Sequence, residues 1–495
     1  MIGVAIYLHL RSSKVLKYMT SLQKTAAIST NDNLILLCKK NAKFTASGLS
    51  VSEIEFVQNE ITVHDKKLIV INQLKRFVFV QILEDKKETH LVLESCRKAG
   101  AVISALCNDH KLEQVVIADL ENKPELVLAL AEGMALANYQ FIKYKADRVK
   151  ETHSLRRVRI NSGKLSDKDL SNLQITTDAT CMARDLVNEP VNYLNAQQLG
   201  KAFERMGKEA GFQVEVFNEA KIQSLKMGGL LAVNQGSIDP PTFTVMEYKP
   251  RGAKNKKPYI LVGKGVVYDT GGLSLKPTAN SMDLMKCDMA GGACVGAALY
   301  AIAKAKLPVH VIALVPATDN RPGENAFAPG DIITMMGGQT VEMLNSDAEG
   351  RMILADALHY AQRYEPELVC EFSTLTGAAA AAIGAAGMVT MGTAPEAVKN
   401  KLRKSGEKVY ERVAEFPFWD EYDEMLKSDI ADMKNIGGAA AGAITAGKFL
   451  VKYTNYPYMH FDIAGPAFIS AKDGYRMKGA TGVGVRFLFD FFKNL

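Results

Sequence analysis

Tyr259-Ile260-Leu261-Val262-Gly263-Lys264-Gly265-Val266-Val267-Tyr268-Asp269 reads first as a buried strand, because residues 259–267 are mostly aliphatic and β-branched. Gly263 and Gly265 interrupt the run, which marks a close approach of other backbone or of a ligand. The lysine between them is the anomaly. Charged side chains are rarely buried unless paired or coordinated, so Lys264 and Asp269 point to a site more than to packing, with a buried ion pair as the plain alternative. Working outward, strand-like runs at 214–216, 243–248, 309–315 and 368–370 are separated by helical patterns, and catalytic groups at strand ends fit an open α/β sheet.

Nearer the start, residues 34–37, 68–71, 78–80, 91–93 and 115–117 read as short strands and 126–139 as a helix, which indicates another α/β unit. The basic, polar stretch 143–164, with Lys143, Lys145, Arg148, Arg156, Arg157 and Arg159, reads as a linker. The expected fold is therefore α/β, with a smaller N-terminal α/β domain over 1–165 and a larger catalytic α/β domain over 166–495. The latter has a central, mostly parallel or mixed sheet flanked by helices. Residues before Met19 read as a poorly ordered appendage.

The second informative stretch is Asn345-Ser346-Asp347-Ala348-Glu349-Gly350-Arg351. Extended, it sends Asp347, Glu349 and Arg351 to one side; helical, Ser346 and Glu349 form a capping box for the apolar-periodic run that follows. A cap needs neither Asp347 nor Arg351, and Gly350 is a poor first-turn residue. Asp288 stands ahead of another, small-residue run. Lys264, Asp269, Asp288, Asp347 and Glu349 thus offer carboxylates and an amine, with no Cys or His among them. Such oxygen-rich sets suit hard or borderline divalent ions, Zn, Mn and Mg all being admissible, and shared carboxylates imply more than one ion.

At this point the residues closely resemble a known family, the leucyl (cytosol) aminopeptidases. The resemblance runs in order through Ala183-Arg184-Asp185-Leu186-Val187-Asn188-Glu189-Pro190, Met227-Gly228-Gly229-Leu230-Leu231-Ala232-Val233, the 264–276 strand and loop, the 345–351 signature, Ser373-Thr374-Leu375-Thr376-Gly377, and His460-Phe461-Asp462-Ile463-Ala464-Gly465. It implies a hydrolase that removes the N-terminal residue, leucine-like by preference, from peptides. Two divalent ions per subunit are implied, Zn or Mn, with Mg admissible at an exchangeable position. By position, Asp269 and Glu349 match the bridging carboxylates, Lys264 and Asp288 complete the tighter metal site, and Asp347 completes the exchangeable one. Lys276 and Arg351 match the catalytic positions that are not ligands, Arg351 holding a bicarbonate that shuttles protons. Met285, Asn345, Thr374, Leu375, Gly377 and Ala464 match positions lining the substrate cleft. A homohexamer is implied as well. Glu371-Phe372-Ser373 departs from the Asp-x-Ala that often stands there. In two-metal hydrolases, aminopeptidases among them, ions about 3.5–4 Å apart lower the pKa of a bridging water, which gives the carboxylates their purpose.

The 495 residues, 47% hydrophobic and 23% charged, suffice for two or more globular domains. The seven cysteines are odd in number and lack metal-type spacing, so free thiols and a cytoplasmic location are expected. A formal charge of +6 is small for this length, and no basic stretch is interleaved with aromatics, so a nucleic-acid partner is not expected. The apolar run 2–10 is too short to span a membrane. The segment from Gly442 to Phe449 lacks the Ser/Thr of a P-loop and reads as a packed helix. His460 reads as a structural, hydrogen-bonded histidine, and Met282, Met285 and Met289 as core or pocket wall. A nucleotide- or DNA-binding regulator would be favoured by a missing ligand, and none is missing. A two-metal phosphohydrolase would need a basic cluster that is not there.

Overall fold

The computed structural model describes residues 19–44 and 48–495, so the expected appendage before Met19 lies outside the described residues. The chain forms two compact units, Met1–Asp178 with Asp473–Arg476, and Ala179–Lys472 with Met477–Leu495.

The first unit is built on β1 (Ser21–Lys24), β2 (Leu34–Cys38), β3 (Leu68–Asn72), β4 (Phe77–Ile82), β5 (Gln114–Asp119) and β6 (Arg157–Asn161), in the order β1-β6-β5-β2-β4-β3. All neighbours are parallel except β3 and β4. β2 is apolar throughout because both its faces are covered. Leu34 and Leu36 share a core with Val57 and Ile61 of helix Val51–Thr62; Ile35 and Leu37 share another with Ile103 of helix Thr89–Asp109 and Leu130 of helix Pro124–Ala137.

Three expectations change here. Residues 91–93 belong to helix Thr89–Asp109, since a short apolar run fits either period and the helical spacing continues through the buried Cys96, Ile103 and Cys107. Residues 157–161 are not linker but β6: Val158 and Ile160 are fully buried between exposed or half-buried arginines, a period of two that the charge concealed. The division falls at 178/179 in place of 165/166, because helix Asp167–Asn188 starts in the first unit. There Leu170 joins the core and Gln174 Oε1 accepts a hydrogen bond from Leu22 N.

In the second unit the strands are β7 (Gln213–Phe217), β8 (Thr242–Tyr248), β9 (Tyr259–Gly263), β10 (Gly265–Asp269), β11 (Val311–Asn320), β12 (Asp331–Thr334), β13 (Thr340–Met343), β14 (Leu368–Ser373), β15 (Met388–Gly392), β16 (Val413–Glu415), β17 (Met433–Lys434) and β18 (Tyr458–Asp462). The main sheet runs β16-β15-β18-β14-β9-β11-β8-β7, with β10 pairing β11, while β12, β13 and β17 form a small separate sheet. β18, β14, β9 and β11 are parallel at the centre; β15 on one flank and β8 on the other are antiparallel. The sheet is mixed and flanked by helices, as expected. Ile260 and Val262 share a core with Ile353 and Leu354 of helix Glu349–Ala361. Gly263 faces the other way, under helix Ala290–Lys304, where a Cβ would stand 2.5 Å from Gly291 O.

The single strand expected over 259–267 is two. After Gly263 the chain leaves β14, and β10 pairs with β11 alone, with a register shift between Val266 and Asp269. Gly265 permits this, since a Cβ there would stand 2.5 Å from Pro316 O. The carboxyl ends of the parallel strands consequently open on one edge, where ligand crevices of open α/β sheets form. Helix Gly442–Val451 is the packed helix expected, its Lys448 buried and 3.0 Å from Asp423 Oδ2. All seven cysteines are free and buried, and no described helix is long and apolar enough to cross a membrane.

Candidate metal centre

Five elements deliver the site. Lys264 follows β9 and Asp269 ends β10; Lys276 lies in the loop beyond, Asp288 on the 3-10 helix Met282–Met289, and Asp347 and Glu349 at the start of helix Glu349–Ala361. Lys264, 3% exposed, holds Nζ 2.8 Å from Asp288 Oδ2 and 2.8 Å from Glu349 Oε1, and donates to Thr374 O at 3.2 Å. Lys276 Nζ stands 2.8 Å from Asp269 Oδ2 and pairs also with Asp347. Carboxylate oxygens of Asp269, Asp347 and Glu349 come within 4.8 Å of one another. The candidate ligands therefore form one cluster, buried except at Asp347, with Lys276 pairing Asp269 and Asp347.

The donor set fits divalent ions. Among the described residues, Glu349 Oε2 is buried with no hydrogen-bond partner, and Asp288 Oδ2 and Glu349 Oε1 are met only by the Lys264 ammonium, 2.8 Å from each. Buried carboxylate oxygens left in that condition are costly unless a cation serves them. The electrostatics agree. Burial, reinforced by Glu349, pushes the Asp269 carboxyl up to about 7 and raises Asp347; burial also raises Asp288. Burial opposes ionisation of Glu349 too, but Lys264 and Lys276 outweigh it and hold that carboxyl below its ordinary value. Burial pulls both lysines down, and the surrounding carboxylates more than restore them, so both ammoniums lie above the usual lysine range.

The signature 345–351 is neither an extended segment nor a capping box. The helix begins at Glu349, its N-cap Ala348 has no side-chain cap, and Asp347 lies in the preceding turn. Ser346 is instead a staple: its Oγ donates to Gly271 O at 2.7 Å and accepts from Ser274 N at 2.7 Å, tying the signature to the 270–276 loop. Position 350, within the helix, is glycine because Lys264 occupies the space beside it, a Cβ there lying 2.6 Å from both Cε and Nζ. Arg351 is 7% exposed; its Nη1 donates to Asn435 O at 2.6 Å, and its Nε has no partner among the described residues. Burial lowers its pKa to about 10, which leaves it charged at neutral pH.

Of the positions expected to line a cleft, Thr374, Met285 and Asn345 adjoin residues of the cluster. Thr374 Oγ1 donates to Asp288 Oδ1 at 2.7 Å, and Met285 precedes Asp288 by one 3-10 turn, on the same face. Asn345 Oδ1 accepts from Asp347 N at 2.8 Å. Gly377, exposed, opens helix Gly377–Ile383. Leu375 and Ala464 are joined by Asp462, whose Oδ1 accepts from their amides at 3.2 and 3.1 Å while its Oδ2 accepts from Thr376 Oγ1 at 2.7 Å. Asp462, Asn320 and Asn435 had no role assigned from sequence. Each is a polar residue at or near a strand end, and the only trace of it in the sequence is that position. His460 pairs through Nδ1 with Glu371, both fully buried, which matches its structural reading.

Residues 181–489 match the profile of the cytosol aminopeptidase family, catalytic domain. A probable cytosol aminopeptidase of Chlorobaculum parvum is 54% identical over 317 residues, 63% of this chain and 62% of that protein. Those of Chlorobaculum tepidum and Chloroherpeton thalassium are 47% and 42% identical, covering 75% and 81% of this chain and 76% and 84% of their own. Among solved structures, the bottromycin maturation enzyme BotP superposes with a TM-score of 0.82 at 26% identity, over 94% of this chain and 99% of that one. Its complex with Mn gives the same TM-score and identity over 93% and 99%. A profile spanning most of the second unit, together with relatives this similar over most of the chain, leaves one assignment: the chain belongs to the cytosol aminopeptidase family.

Proposed function

We propose that this chain is a two-metal aminopeptidase that releases the N-terminal residue, leucine-like by preference, from peptides. The observation that carries the reading is the set of buried, underserved oxygens on Asp288 and Glu349 beside Asp269 and Asp347. Asp269 and Glu349 would bridge two ions, Lys264 and Asp288 completing one site and Asp347 the other. Such ions, Zn or Mn with Mg admissible at the exchangeable site, supply Lewis acidity and lower the pKa of a bound water.

The chain's own groups do the rest. Lys264 must present a lone pair to act as a ligand, so it gives up a proton when the site fills. Lys276, fixed between Asp269 and Asp347, offers positive charge where an oxyanion develops on the first peptide carbonyl. Arg351 has an unspent Nε, and its planar guanidinium would suit a bicarbonate held bidentately, an ion that would supply acid–base chemistry near the leaving amine. Met285, Asn345, Thr374, Leu375, Gly377 and Ala464 form the cleft that receives the first side chain and orients the scissile bond. A cytoplasmic location belongs to the same reading, supported by the relatives' names and the buried free thiols, and a homohexamer is proposed with it from the family resemblance alone.

The test is the need for a free α-amine, since an exopeptidase of this kind must recognise it. Leu-amide is hydrolysed by the metal-loaded protein and N-acetyl-Leu-amide is not. Comparable turnover of both removes the aminopeptidase reading.

A further inference from the structure

Asn320 ends β11 with no solvent exposure, and its side chain touches two parts of the centre at once. Nδ2 donates to Asp269 Oδ1 at 2.8 Å and to Ser346 O at 2.9 Å. Its own carbonyl accepts from Thr270 N at 3.0 Å and from Thr270 Oγ1 at 2.8 Å. The orientation of the amide is fixed by chemistry: both atoms facing Nδ2 are acceptors, so a reversed amide would set oxygen against oxygen twice. Oδ1 therefore points the other way, where it is buried without a donor, and it fits because residue 272 is glycine. A Cβ on Gly272 would stand 2.8 Å from that oxygen, and its φ of 63° also favours glycine.

A buried amide with one unsatisfied atom is a cost the fold would shed by an apolar replacement, unless the other atom has a task. Here the task is visible. Asp269 Oδ1 receives two donors, Asn320 Nδ2 and Gly271 N at 2.8 Å, which leaves Oδ2 turned toward Lys276 and the cluster. Through Ser346 the same amide anchors the turn that carries Asp347 and leads to Glu349. It thereby sets the spacing between the two segments that bring the carboxylates together.

We propose that Asn320 is a positioning residue of the metal centre: it orients the Asp269 carboxylate and locks the 345–351 turn against it. This rests on the reading of Asp269 as a ligand. Groups that orient first ligands typically change metal affinity 10- to 100-fold when removed.

The experiment measures Mn and Zn dissociation constants, by chelator competition, for the full chain and for Asn320→Ala, Asn320→Leu and Asp269→Asn, with melting temperatures in excess chelator. Asn320→Leu loses the same two bonds as alanine but retains bulk and removes the unsatisfied oxygen, and Asp269 Oδ1 keeps its bond from Gly271 N, so it is the variant to read if the alanine variant does not fold. Both Asn320 variants, or the leucine variant alone in that case, bind metal about 10- to 100-fold more weakly while the chelated protein melts within a few degrees of the parent. Affinity within twofold of the parent overturns the role, and so does a loss of affinity matched by collapse of the chelated fold in the leucine variant. Asp269→Asn separates the two claims. If it binds metal like the parent, the reading of the centre fails; if it loses metal while the Asn320 variants do not, only the role of Asn320 fails.

Discussion

Gly350→Ala sets two effects of known size against each other. In an ordinary helix the change stabilises by about 1 kcal/mol, because glycine is the costlier residue there. At this position the new Cβ would stand 2.6 Å from Lys264 Nζ and Cε and 2.9 Å from Cδ. Carbon atoms prefer about 3.5 Å or more, so the lysine must retreat by roughly 1 Å. It has nowhere neutral to go, being 3% exposed and 2.8 Å from both Asp288 and Glu349. Overpacking of this kind costs about 1–3 kcal/mol, so the chelated protein is predicted to be destabilised by roughly 0–2 kcal/mol. The larger effect is local: with Lys264 displaced, the tighter site loses a ligand. Urea unfolding in chelator and metal counting after dialysis report the two effects separately. A variant that is more stable than the parent and retains the parent's metal content would refute the packing argument and the assignment of Lys264.

Lys264→Arg should lose the tighter ion more completely than Lys264→Gln, because arginine keeps a charge with no lone pair while glutamine offers an amide oxygen; full two-ion occupancy in the arginine variant between pH 6 and 9 would make Lys264 a charge partner only. Glu349→Ala should lose metal, whereas Arg351→Ala should keep both ions and turn over more slowly, and elemental analysis of the folded variants decides it. Asp356, fully buried, accepts from Leu230 N and Met336 N at 2.9 Å each, yet burial raises its pKa to about 7. Its unfolded value is about 4, so its contribution to stability is complete below that pH and is lost as pH rises through about 7. The parent should therefore lose up to about 3 kcal/mol relative to Asp356→Asn between pH 5 and 7, and a difference that does not vary with pH would contradict the assigned shift.

Much of the centre was legible because its chemistry is concentrated in short motifs. A lysine between glycines in an apolar strand, and two acids with an arginine in seven residues, have few structural explanations. Local geometry was less legible. The 345–351 stretch fitted two periodicities and is helical only from Glu349, because Ser346 bonds to a loop 72 residues away in sequence instead of capping the helix. In the first unit, the charges of Arg157 and Arg159 obscured the buried alternation of Val158 and Ile160, and Leu91-Val92-Leu93 fitted helix as well as strand. Asn320, Asn435 and Asp462 were illegible for a different reason. Apart from Ala464, two residues from Asp462, their partners lie 26 to 91 residues distant, and a single polar residue carries no periodic signal.

The central claim is that the cluster of Lys264, Asp269, Asp288, Asp347 and Glu349 holds two divalent ions on which peptide hydrolysis depends. The most direct test counts the ions bound per chain at saturation and follows Leu-amide hydrolysis as they are removed and returned. The account predicts two ions per chain, with activity lost on chelation and regained with metal. Saturation at a single ion, or hydrolysis that persists in protein stripped of both, would contradict it.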